Sequence, residues 1–163
     1  MFATIAAEPT GVAMKVEGVI GVVAPRQAVF ERLSDARFFA SCVDGVQDLT
    51  EIDATHYSAK FATKIAYLRF TFNVTVAMTK ILPPSEIEAT VEGTPLGVVG
   101  RLTATARTQL SERGGATDIR YEIDAVLAGK LGSMGEPVLR AKAKDMEKQF
   151  AERLTAAFAE AAP

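Results

Sequence analysis

The stretch from residue 68 to residue 78, LRFTFNVTVAM, decides the fold class of this chain. Apolar and polar side chains alternate along it almost without interruption. Because successive side chains of a β-strand point to opposite faces, this strand has one dry face and one wet face. Its dry face carries Leu68, Phe70, Phe72, Val74, Val76 and Met78. Such a strand is typical of an antiparallel sheet that is covered on one side only.

The same period of two extends on both sides of this stretch. The alternation is also present before this stretch, at residues 57–65, and after it, at residues 86–92, 101–107 and 118–125. Two further strands are predicted earlier in the chain, one from about Met14 and one over residues 45–52. The turn signals between them are Asp53-Ala54-Thr55, Pro83-Pro84 and Arg113-Gly114-Gly115. The sequence therefore predicts seven strands in one antiparallel sheet.

The dry face needs a cover, and the C-terminal part of the chain provides one. Residues 131–161 are rich in Ala, Leu, Met, Lys and Glu, which favour helix, and Pro137 fits within the first turns. An apolar stripe recurs at steps of three and four: Val138, Leu139, Ala143, Met146, Phe150, Leu154, Ala157 and Phe158. We interpret the interspersed charges, including Lys144, Asp145, Glu147 and Lys148, as a solvated helix face.

Two short helices are predicted between the first and second strands, over residues 24–33 and 36–42. The first has Pro25 at its start, and Ser34-Asp35 can end it and cap the second. The fold class is thus α+β: a helix-grip arrangement in which a curved sheet surrounds a long C-terminal helix. We expect residues 1–12 to be a flexible extension and residues 13–163 to form one domain. A single sheet around a single helix is hard to fill, so a cavity is expected.

Composition excludes several classes of function. The chain has 163 residues and a net charge of −2, which gives no global electrostatic case for nucleic acid. Cys42 is the single cysteine and His56 the single histidine, which leaves no disulfide and disfavours a zinc site. Nothing in the sequence resembles a phosphate-binding loop or a secretory signal. We expect a cytoplasmic protein with no cofactor and no metal.

Candidate site residues follow from the expected cavity. The predicted ligand-binding residues are Phe61, Phe70, Phe72, Tyr121, Met134, Val138 and Met146. For any one of the strand residues ordinary core packing is the favoured alternative, and for Met134 and Met146 helix packing is an equal one. The Tyr121 hydroxyl could meet a ligand carbonyl, although a backbone partner is the favoured interpretation. No catalytic residue is predicted, because Cys42 lacks neighbours that would activate a thiol and His56 is expected to be solvated.

Four segments in order resemble the CoxG family of the START-like, or SRPBCC, superfamily, a family described as the G subunit of carbon monoxide dehydrogenase. They lie at residues 18–35, 41–46, 115–124 and 126–135. The second reads Ser-Cys-Val-Asp-Gly-Val, with Asp44 where the family often has proline. The fourth reads VLAGKLGSMG and is close to the family's Gly-Lys-Leu pattern before the last helix. The resemblance runs from Met14 to about Phe158.

The resemblance implies a non-enzymatic accessory protein of a molybdenum-containing dehydrogenase of the carbon monoxide dehydrogenase type. Such proteins are linked to membrane recruitment of that enzyme and to carrying a lipophilic quinone. Longer family members add a C-terminal membrane-binding tail, so at most peripheral membrane contact is expected for a chain that stops at Pro163. Two other interpretations stay open: a START-like cyclase or hydrolase acting on a polyketide-like or aromatic substrate, and a chaperone-like interaction module. An acidic side chain inside the cavity would favour the enzyme.

Overall fold

The computed structural model describes residues 11–161, so most of the predicted extension, residues 1–10, lies outside it. The strands are β1 (Val12–Val22), β2 (Val46–Glu51), β3 (His56–Ile65), β4 (Leu68–Leu82), β5 (Glu86–Pro95), β6 (Gly100–Arg113) and β7 (Ala116–Gly129). The helices are α1 (Arg26–Leu33), α2 (Ala36–Ser41) and α3 (Glu136–Ala161), with a short 3₁₀ helix at Gly132–Met134. All seven strands form one antiparallel sheet in the order β1-β7-β6-β5-β4-β3-β2. The predicted fold class is confirmed.

The main difference from the predicted boundaries lies before the long helix. α3 begins at Glu136, not near residue 131, and its 26 residues extend for ~39 Å. The preceding segment forms the 3₁₀ turn instead, because Gly135 adopts a φ of 91° that an α-helix cannot continue through. β1 also begins at Val12, which pairs with Leu127 and lies two residues before the predicted start. At α2 the prediction is accurate, since the Asp35 carboxylate caps it by accepting from the Arg37 N–H at 2.9 Å.

The strand register confirms the alternation of faces. Phe72 pairs with Phe61, and the dry residues of neighbouring strands line up along one inner face beneath α3. The outer face carries ion pairs such as Arg107 with Glu122 at 2.6 Å and with Asp124 at 2.9 Å. Exposed pairs of this kind contribute little stability individually. Burial of the inner face therefore dominates the fold.

Burial is concentrated in two clusters at opposite ends of the inner face. The first cluster consists of Val22, Val29, Phe30, Cys42, Ile87, Leu110, Ile119, Leu154 and Phe158. The second consists of Ile65, Phe70, Phe72, Leu127, Leu131 and Leu139. Helix α3 contributes to both, through Leu139 near its start and through Leu154 and Phe158 near its end. It is thus fixed to the sheet at its two ends.

The turn before β2 depends on Gly45, which gives a stability prediction. Gly45 has a φ of 92°, and a Cβ added there would collide with the Ala62 carbonyl oxygen. Gly97 has a similar φ of 80° but open space around it. We expect Gly97→Ala to cost about 1 kcal/mol, from backbone strain alone, and Gly45→Ala to cost at least about 2 kcal/mol more. Denaturant unfolding of both variants measures the difference, and equal losses would contradict the close approach.

Candidate ligand-binding site

The backbone of α3 lies closer to the sides of the curved sheet than to its middle. It approaches β1 on one side and β3 towards the other more closely than the four strands between them. A concave sheet around a straight helix produces this arrangement naturally, since both flanks rise towards the helix. Side chains have to fill the remaining distance over β4, β5, β6 and β7 if the interior is to be solid.

The inner face between the two clusters is less completely buried than the clusters themselves. We call this region the central band. From the sheet it comprises Val16, Gly18, Tyr57, Ala59, Val76, Ala89, Val91, Ala104, Ala106, Thr108, Tyr121 and Ile123, and from α3 it comprises Ala143, Met146 and Glu147. None of these residues is buried; all are half-buried. This part of the sheet carries small side chains such as Ala89, Ala104 and Ala106, whereas the two clusters contain Phe and Leu.

The seven predicted site residues fall into two groups. Phe70 and Phe72 are core residues of the second cluster, with 7% and 4% of their surfaces exposed. Phe61 stacks on Phe72 with ring centroids 6.1 Å apart, and Met134 and Val138 pack against the same cluster. These five form a packed wall at one end of the inner face. Tyr121 and Met146 are the two that lie in the central band.

Tyr121 makes a contact that sequence reasoning missed. Its hydroxyl donates to Oε2 of Glu147, which joins the sheet to α3, so the favoured expectation of a backbone partner is wrong. The phenol lies across Gly18 of β1, where an added Cβ would be 2.5 Å from the Tyr121 hydroxyl oxygen. Burial of the ring, followed by the hydrogen bond to Glu147, raises the pKa of Tyr121 above its usual value.

Glu147 also corrects the interpretation of the α3 charges. We expected it on the solvated face, but its side chain contacts the inner face of the sheet through Tyr121. A signal for this was present: Glu147 follows Ala143 by four residues and precedes Leu154 by seven, which places the three on one side of a helix. We assigned Glu147 to the solvated face because of its charge, although its position lies within the apolar stripe of α3.

Cys42 and His56 lie away from the central band. Cys42 is a core residue of the first cluster, with 2% of its surface exposed, and burial raises the pKa of its thiol. His56 is exposed, and its Nδ1 lies 2.9 Å from Oδ1 of Asp53. Hydrogen bonds from the Thr55 N–H and then from the His56 ring lower the pKa of Asp53 to about 2. Both residues fit the structural roles expected for them.

The burial of Cys42 predicts slow chemistry at its thiol. A disulfide reagent such as DTNB attacks only accessible thiolate, so we expect labelling of the native protein at neutral pH to be at least ~100-fold slower than in denaturant. Absorbance at 412 nm follows the reaction. Labelling of the folded protein at the rate of a free thiol would show that the first cluster opens readily.

Two open depressions lie on the outer face, not between the sheet and α3. The larger, of about 590 Å³, is lined by residues of β1, β5, β6 and β7, including Lys15, Glu92, Thr105 and Asp124, and it also borders Val91 and Ala104. The smaller, of about 180 Å³, lies beside His56. The charged residues of this lining, Lys15, Glu92 and Asp124, are engaged in ion pairs, such as that of Lys15 with Glu122 at 2.9 Å.

Residues 11–161 contain neither a membrane-spanning helix nor a group of side chains arranged as a metal centre. Over this range no helix is long and apolar enough to span a bilayer. In the same part of the chain, no group of three or more His, Cys, Asp or Glu residues is placed to hold a metal ion.

Comparison with solved structures shows which fold this is. A conserved protein from Geobacillus kaustophilus superposes with a TM-score of 0.83 at 22% identity, covering 90% of this chain and 96% of that one. A START superfamily protein from Mycobacterium smegmatis gives a TM-score of 0.70 at 11% identity, with 91% and 99% covered. The Zhui aromatase/cyclase from Streptomyces sp. R1128 gives 0.68 at 13% identity, with 90% and 94% covered. These identities establish the START-like fold alone.

Sequence comparison narrows the assignment further. No curated protein matches the chain in sequence. The sequence model of the CoxG family, described as the G subunit of carbon monoxide dehydrogenase, matches residues 18–159. These residues include β1 from Gly18 onwards, every later strand and nearly all of α3. The chain therefore belongs to the CoxG family.

Proposed function

We propose that this chain is a non-enzymatic accessory protein that holds a lipophilic, quinone-like molecule between α3 and the central band of the sheet. The observation that carries the proposal is the half-buried central band between two buried clusters. Tyr121 and Met146 are the ligand contacts, and Phe61, Phe70, Phe72, Met134 and Val138 form the end wall. Ala104 and Ala106 provide the space.

The arrangement suits reversible binding energetically. Each Å² of apolar surface that a ligand removes from water contributes about 25 cal/mol. The two clusters fold the protein whether or not the space between them is occupied, since each is buried by protein side chains alone. Met146 adds an adaptable wall, because its unbranched side chain can follow ligands of different shape.

The contents of the site support binding over catalysis. General acid–base chemistry needs a positioned acid or base close to the substrate. The acidic residues of the strands, such as Glu122 and Asp124, point outward, and His56 is exposed. Glu147 is the exception, and its Oε2 is already occupied by the Tyr121 hydroxyl.

Glu147 is also the observation that favours the alternative, a START-like cyclase or hydrolase acting on a polyketide-like or aromatic substrate. It places a half-buried carboxylate at the site, and the Zhui aromatase/cyclase shares the fold. In that case turnover of an aromatic polyketide analogue would be lost in Glu147→Gln. Under the carrier proposal, such analogues bind and are released unchanged.

The family assignment supports the proposed partner. We infer that the chain serves a molybdenum-containing dehydrogenase of the carbon monoxide dehydrogenase type in the cytoplasm, with at most peripheral contact with the membrane. The support is the match to the CoxG family, described as the G subunit of carbon monoxide dehydrogenase, across residues 18–159. Co-purification of the tagged chain from cells expressing such a dehydrogenase tests this link, with an unrelated START-like protein as the control.

Native mass spectrometry of the purified protein tests the ligand proposal. We expect a fraction of the protein to carry one apolar molecule, which organic extraction releases and ultraviolet absorption identifies as quinone-like. Adding a short-chain quinone analogue to stripped protein should raise its melting temperature by mass action. Protein that binds neither cellular lipids nor the analogue would contradict the carrier function.

A further inference from the structure

We propose that the contact between Tyr121 and Glu147 makes this site selective for apolar molecules that carry a hydroxyl, such as phenols and hydroquinones, over matched molecules that carry only carbonyls. The inference rests on the proposed function, because it concerns the same site. It assigns to Glu147 the role of a specificity-determining residue.

The polarity of the pair follows from its hydrogen bond. A tyrosine hydroxyl has one proton, and here that proton is donated to Oε2 of Glu147. The other carboxylate oxygen, Oε1, has no hydrogen-bond partner among the described side chains, and it is not sealed from solvent. The pair therefore has free acceptors and no spare donor.

No positively charged side chain in the described part of the chain neutralises the Glu147 carboxylate. Within residues 11–161, no Lys or Arg nitrogen lies within ion-pair distance of Glu147, although such contacts are frequent elsewhere in that range. The Glu147 carboxylate accepts one hydrogen bond from the residues that the structure describes, that of Tyr121, and any other must come from a group that approaches Oε1. A ligand hydroxyl can donate to Oε1 while the existing bond stays intact.

A ligand carbonyl meets the opposite situation. It can only accept, so at this pair it would take the Tyr121 proton and leave Glu147 without its hydrogen bond. A half-buried carboxylate stripped of its partner is costly, and hydrogen bonds to charged groups are the stronger kind. The remaining polar groups of the sheet part of the central band, the hydroxyls of Tyr57 and Thr108, can donate or accept and so do not discriminate.

A glycine in β1 makes room for the Tyr121 side chain. Gly18 is the direct cross-strand neighbour of Tyr121, and the absence of a Cβ there lets the phenol lie across β1 and reach α3. Any other residue at position 18 would displace the ring. The close approach thus fixes the hydroxyl at Glu147.

The experiment compares the oxidised and reduced forms of one short-chain benzoquinone, with calorimetric titration under anaerobic conditions. The wild type should bind the hydroquinone at least ~10-fold more tightly than the quinone, the effect of one charge-assisted hydrogen bond. Glu147→Gln should reduce the ratio to below ~3-fold, because the amide offers a donor and no charge. Tyr121→Phe should keep or increase the ratio, because the carboxylate is then free to accept. Glu136→Gln, which only alters an exposed pair with Arg140, is the matched control on the same helix.

The outcomes separate the two proposals. Equal binding of both forms by the wild type overturns the selectivity and leaves the carrier function standing. Binding of neither form overturns both. A preference that survives unchanged in folded Glu147→Gln overturns the role of Glu147. If that variant does not fold, a preference lost in Tyr121→Phe overturns the same role.

Discussion

Leu154→Ala should destabilise the protein by about 3 kcal/mol, whereas Met146→Ala on the same helix should cost less than about 1 kcal/mol. Leu154 is fully buried in the first cluster, with 0% of its surface exposed. Its truncation removes apolar burial and leaves a cavity that rigid neighbours cannot close. Met146 lies in the central band and is half-buried, so its truncation removes few contacts that the fold depends on.

Urea unfolding followed by circular dichroism measures both changes. The comparison is well controlled, because the two positions share the helix and the face and differ in whether the opposing sheet is packed. A loss of similar size for both variants would show that the interior is packed from end to end. The central band would then be filled by protein side chains, with no space for a ligand.

Ala104→Phe should weaken binding of a quinone analogue at least ~100-fold while the protein remains folded. Ala104 lies on the inner face of β6 between Val91 and Ala125, in the middle of the central band. A phenyl ring there would occupy the space proposed for the ligand. In a solid core the same change would cost about 1–3 kcal/mol through overpacking, whereas in an unfilled space it should cost little.

Thr105→Phe is the matched control for this prediction. Thr105 is the next residue along β6, and its side chain points to the outer face, where it lines the larger depression. The same ring at this position should leave binding unchanged. Loss of binding in Thr105→Phe, with Ala104→Phe unaffected, would place the ligand in the outer depression and contradict the proposed site.

The fold could be predicted from the sequence because its signals are local. The alternation over residues 68–78 fixes a strand and its faces, and the stripe through Phe150 and Leu154 fixes a helix that covers them. The start of α3 could not be placed as well, because the residues before Glu136 are compatible with helix. Only the positive φ of Gly135 separates the 3₁₀ turn from the helix proper.

The candidate site was less predictable, because it depends on which residues oppose each other across the interior. Phe70 and Phe72 were chosen as apolar and inward-facing, and they are, but the structure places them in a packed cluster. The space proposed for the ligand lies beside Ala104 and Ala106, and small residues give no signal of their own in a strand pattern. Glu147 was missed because a charge suggests solvent exposure until a partner such as Tyr121 is seen.

A crystal structure of the protein with a bound short-chain quinone analogue tests the central claim most directly. We expect the ring between α3 and the inner face of the sheet, in contact with Ala104 and Met146 and within hydrogen-bond distance of Tyr121 or Glu147. An analogue found in the outer depression beside Lys15 and Thr105, or an interior closed by the side chains of the central band, would contradict it.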